Sequence, residues 1–105
     1  MSRFSYTLFR RKMEPREFCK RWFHADEAME TNRGYRSRCV RLLSEIIGVE
    51  ANTVERWGSG LDFERIPSQY KITLGYADSL REIVQTAGKH PNILRAVLQR
   101  LQEEP

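Results

Sequence analysis

The residue types that carry out chemistry in proteins are present in this chain, but they are scattered. Two histidines, His24 and His90, and two cysteines, Cys19 and Cys39, are the candidates for a zinc site, and no pair of them has the spacing of a ligand motif. There is no glycine-rich phosphate loop and no nucleophile with a base nearby, and the carboxylates fall on charged helical faces where solvated salt bridges account for them. The expectation is a protein without catalysis, cofactor or metal, in which the cysteines are buried apolar thiols.

What remains is charge, and its distribution says more than its total of +4. Residues 1–41 hold eleven Lys and Arg against five acids, whereas residues 42–105 hold seven against nine. A basic excess confined to the first two-fifths of a chain fits contact with a polyanion, and a solvated basic face is the bland alternative. With 105 residues, 40% apolar and 30% charged, the chain makes one modest domain with a core. No apolar run approaches the roughly 20 residues that span a bilayer, and "MSRFSYTLFRRKM" lacks the apolar centre of a signal peptide, so a soluble cytoplasmic protein is expected.

The elements that must position the charged side chains are helical. Residues 1–13 form a basic arm in which Phe4, Tyr6 and Leu8 alternate with Arg3, Ser5 and Thr7. It is either an extended arm or one half of an intermolecular strand pair. Residues 14–105 form the helical domain. Pro15 opens a helix over 15–30, with Phe18, Cys19, Trp22, Phe23, Ala25 and Met29 at helical spacing. Thr31 or Asn32 can cap a second helix over 33–47, whose inner face is Tyr35, Cys39, Leu42, Leu43, Ile46 and Ile47 and whose outer face is Arg36, Arg38 and Arg41. Gly48 ends it in the conformation that favours glycine, and a short helix follows over about 51–58.

Beyond it, Leu61, Phe63 and Ile66 dock from a loop onto the core. Ser68 caps a helix of one or two turns through Leu74, and Asp78 caps another with Leu80, Ile83, Val84 and Ala87 as its buried stripe. A last helix covers 91–103, antiparallel to its predecessor across a short connector. Trp22, Phe23, Tyr35 and Trp57 fall on apolar faces and read as core, not as a base-stacking platform. The fold class is all-α, with five or six short helices and an extended N-terminal arm.

The stretch "LLSEIIGVEANTVERWGSG", residues 42–60, stops an apolar helical pattern at a glycine and restarts it three residues later. Leu43 and Ile47 anchor the first helix, Ser44 allows close approach, Gly48 and Val49 make the turn, and Val54 and Trp57 seal the second helix. This grammar resembles the helix-turn-helix of phage Cro and repressor proteins and of MerR-type regulators, over about twenty residues. The wider segment 55–80 is similar to small helix-turn-helix proteins found in cyanobacteria. The resemblance implies a recognition helix over 51–59 in the major groove of double-stranded DNA. Ala51, Asn52, Glu55 and Arg56 would touch base edges. Thr53, Ser59, Arg36, Arg38 and Arg41 would hold the backbone, with Arg10, Arg11 and Lys12 of the arm following the strand or a minor groove. Such proteins bind paired half-sites, so a homodimer formed through the C-terminal hairpin or the arm is expected, acting as a transcriptional regulator.

One residue departs from the pattern. The position after the Gly-Val pair is ordinarily Ser or Thr, and here it is Glu50, which with Glu55 sets two acids against Arg56. A non-catalytic adaptor that docks on protein within a nucleoprotein assembly is therefore the alternative, and RNA binding through the basic half is a third reading.

Overall fold

The computed structural model describes residues 12–103. The described residues are all-helical: α1 (Pro15–Phe23), α2 (Glu27–Thr31), α3 (Tyr35–Ile47), α4 (Ala51–Glu55), α5 (Ser68–Ala87) and α6 (Pro91–Glu103). The arm residues Arg10 and Arg11, and the alternating segment before them, lie outside the described residues. Met13, at the end of the segment assigned to the arm, is buried, and its amide donates to the Lys71 carbonyl at 3.0 Å, tying the chain start to α5.

The core forms where α1, α3 and α5 pack on one another, with α2 and α4 closing against α3. Phe18, Cys19, Tyr35, Cys39, Leu43, Val54, Trp57, Phe63, Ile66 and Leu74 fill it. Phe63 and Ile66 dock from the loop as their bulk requires. Trp22 and Phe23 are half-buried at its margin, where the Phe18 and Trp22 rings lie 5.6 Å apart and Phe23 meets Tyr35 edge-on at 6.0 Å. Cys19 and Cys39 are free buried thiols.

Several sequence expectations require correction. The helix expected over 15–30 is two helices: His24 adopts the left-handed conformation (φ 52°) and Asp26 restarts the chain as a cap, its side chain accepting from the Met29 amide at 2.8 Å. Neither Thr31 nor Asn32 caps α3. Gly34 does so at φ 92°, while Thr31 Oγ1 donates to the Ala28 carbonyl. The helix expected over 51–58 stops at Glu55, because Arg56 and Trp57 turn toward the loop.

The largest correction concerns α5. One 20-residue helix replaces the two expected, with Pro67 and not Ser68 at its cap position, and Asp78 in its interior. Asp78 is 1% exposed and binds Arg21 Nε of α1 and Arg81 Nη2, both at 2.9 Å. Burial pushes the Asp78 carboxyl up, but the two guanidinium groups outweigh it and hold it below the usual carboxylate range. An aspartate placed by pattern as a cap is in fact the ionic pin between α1 and α5. The stripe Leu80, Ile83, Val84 and Ala87 is consequently not buried: the first three are 60%, 46% and 47% exposed and Ala87 is half-buried.

Candidate nucleic-acid interface

Ser44 closes the turn between α3 and α4 from both ends. Its carbonyl accepts from the Gly48 and Val49 amides at 2.9 and 3.2 Å, and its hydroxyl donates to the Val49 carbonyl at 2.5 Å. Gly48 sits at φ 85°, a conformation that costs a residue bearing Cβ about 1–2 kcal/mol. Glu50 then takes the cap position with an extended backbone. Its carbonyl accepts from the Thr53 and Val54 amides, but its side chain makes no cap hydrogen bond, as its length predicts.

α4 is held by two side chains. Val54 is fully buried and Trp57 is 7% exposed, its ring 5.6 Å from that of Tyr70. Around them Ala51, Asn52, Thr53, Glu55, Arg56 and Ser59 are all exposed. Asn52, Glu55 and Arg56 therefore share one rigid convex element, presenting an amide, a carboxylate and a guanidinium within five residues. Arg65 supports it from the loop, its amide donating to the Trp57 carbonyl at 2.8 Å and its Nη2 to the Arg56 carbonyl at 2.9 Å.

The expected backbone-gripping arginines divide into two kinds. Arg36 is turned inward: Nε donates to the Gly60 carbonyl at 3.0 Å, Nη2 donates to the Gly58 carbonyl, and the guanidinium lies 4.8 Å from the Phe63 ring centroid. It clamps the 58–63 loop, a role the sequence reading did not give it. Arg38 and Arg41 remain exposed and line a shallow cleft of about 200 Å³ with Trp22, Phe23, Leu42 and Glu45. The Arg38 guanidinium lies over the Phe23 ring, 4.4 Å from its centroid. Lys12 is exposed at the chain start.

The basic excess of the first two-fifths is thus partly consumed within the fold. Arg21 binds Asp78 and Glu82, and Arg16 binds Glu30 through two nitrogens at 3.0 and 3.3 Å and Asp62 at 3.3 Å. The Arg16 hydrogen bonds hold the Glu30 carboxyl below its usual range against the opposing push of burial. Sequence reasoning missed these internal roles.

Among the described residues no group of three or more His, Cys, Asp or Glu side chains is placed to hold a metal ion, and no helix is long and apolar enough to cross a membrane. No family model, curated protein or solved structure matches this chain.

Proposed function

We propose that the chain is a sequence-specific DNA-binding protein, a small transcriptional regulator that presents the outer side of α4 to the major groove. The observation that carries this reading is the exposure of Ala51, Asn52, Thr53, Glu55 and Arg56 around a short helix anchored by Val54 and Trp57 behind a hydrogen-bonded glycine turn. The geometry leaves base-reading chemistry on the surface: the Asn52 amide suits adenine, the Arg56 fork suits guanine, Glu55 can accept from cytosine, and Ala51 can meet a thymine methyl. Thr53, Ser59, Arg38 and Arg41 supply phosphate contacts, with Lys12 and the arm beside them. Arg36 supports the surface from behind by clamping the 58–63 loop.

The test is retention of a randomised duplex pool at moderate salt, followed by sequencing of the retained fraction. One enriched motif is expected. Arg56→Ala should relax preference at one base position, whereas Arg41→Ala should weaken all duplexes alike and reduce the slope of log affinity against log salt by about 1. Failure to retain any duplex at low salt overturns the reading.

A protein-docking adaptor is the second reading, and one observation favours it. Glu50 and Glu55 are exposed and make no ion pair among the described residues, which places uncompensated acids where phosphates would approach. A protein complex that survives high salt, from a chain that binds no duplex, would establish it.

A further inference from the structure

Successive residues of an α-helix are turned by about 100°, so Ile72, Tyr76, Leu80, Ile83 and Ala87 form a stripe on the side of α5 roughly opposite Leu74 and Asp78. Leu74 and Asp78 are 0% and 1% exposed against the body. The ion-paired carboxylate of this helix faces in and its aliphatic side chains face out. Beyond the 88–90 connection α6 carries a second apolar set at helical spacing, positions 94, 97, 98 and 101. Ile93, Val97, Leu98 and Leu101 are 51–64% exposed, and α6 has no buried residue. Among the described elements it packs on α5 alone. Isolated helices shorter than about 12–15 residues are marginal in water, so this 13-residue helix needs cover on its apolar face.

We infer that this face is the contact of a two-fold homodimer, in which α6 of a second copy seats in the groove between α5 and α6 of the first. Area is the first argument. Nine exposed large hydrophobic side chains offer on the order of 700 Å² of apolar surface, above the roughly 300–600 Å² of the largest patch on a typical monomer and close to the roughly 800 Å² that each partner gives a standard interface. Self-complementarity is the second. The same chain carries a mostly apolar groove of about 390 Å³, lined by Ser79, Ile83, Ala87 and Ile93 among others, and the projecting Val97, Leu98 and Leu101 one or two turns beyond it. A two-fold axis places each copy's projections in the other's groove. Charge is the third: residues 72–103 balance Arg81, Lys89, Arg95 and Arg100 against Asp78, Glu82 and Glu103, so two copies meet here without the repulsion that the basic first two-fifths would impose.

This inference stands apart from the DNA reading, although a dimer would suit paired half-sites. Its test is sedimentation of the full chain at increasing concentration. The wild type should reach twice the 12.4 kDa chain mass. Leu98→Glu and Leu101→Glu should each raise the dimer dissociation constant at least about 100-fold while the bundle of α1 to α5 still unfolds cooperatively in denaturant, because α6 contributes no buried residue to it. A wild-type chain that stays monomeric, or a dimer that both glutamates leave intact, overturns the inference. A dimer that binds no duplex would count against the DNA reading alone.

Discussion

The bundle of α1 to α4 with the first half of α5, and the projecting unit of α5's second half with α6, are both built from amphipathic helices and come to opposite ends. In residues 12–71 every large hydrophobic side chain is at least half-buried, whereas the nine exposed ones all lie between Ile72 and Leu101. Amphipathicity states that a helix face must be covered; it does not state by what. In the bundle the cover is the chain itself, through Phe18, Leu43 and Phe63. In the projecting unit no further element among the described residues covers the face.

The comparison is most sharply broken by truncating the two apolar sets. Phe18→Ala should destabilise the fold by about 3–5 kcal/mol and Leu43→Ala by about 2–5 kcal/mol, since both side chains are fully buried. Leu80→Ala, measured in the monomeric Leu101→Glu background, should stay within about 0.5 kcal/mol. Denaturant unfolding of the three chains decides it: a comparable loss for Leu80→Ala would mean that the projecting face is covered within the monomer.

A smaller effect is expected where the two regions join. Asp78→Ala strands Arg21 and Arg81 and should cost about 2–3 kcal/mol, below the roughly 3–5 of a fully buried pair because the Arg21 side chain is 35% exposed. The folded-state pKa of Asp78 is depressed, so its contribution is fully present above the unfolded value of about 4 and is lost as pH falls through the lower folded value. Asp78→Asn should flatten the acid limb of the stability profile. An unchanged limb would remove Asp78 as the pin between α1 and α5.

The smallest expected change tests the turn. Gly48→Ala meets no atom within 4 Å, so only the backbone conformation at φ 85° opposes it, at about 1–2 kcal/mol. Gly60→Ala also meets nothing, and Gly60 does not have positive φ, so it should be close to neutral. Equal midpoints for the two variants in thermal unfolding would contradict the strained-turn account.

Much of the bundle was legible because its signals are local. The 3.6-residue period of Tyr35, Cys39, Leu42 and Leu43 and the glycine at the end of that run fix α3 and its turn without reference to the rest of the chain. The exposure of Asn52, Glu55 and Arg56 followed from Val54 and Trp57 claiming the other side. The loop-clamping role of Arg36 was missed because its partners, the Gly58 and Gly60 carbonyls, lie more than twenty residues away and carry no pattern of their own. Asp78 was misread for a similar reason: a short polar residue before an apolar run satisfies the rule for a cap, and one of the two guanidinium groups that hold it inside, that of Arg21, comes from fifty-seven residues earlier.

By itself, the sequence determined that the chain is helical, where the α3–α4 turn falls, and which side chains near it the core leaves free. These depend on neighbours within four or five residues, where backbone geometry and side-chain spacing act directly. Tertiary structure alone decided which arginines turn inward, that α5 is continuous through Asp78, and that the apolar stripe of α5 and α6 faces solvent. Periodicity shows that a stripe exists but not its direction. The direction was set by which side of α5 could satisfy a buried carboxylate, and that is a contact between distant parts of the chain.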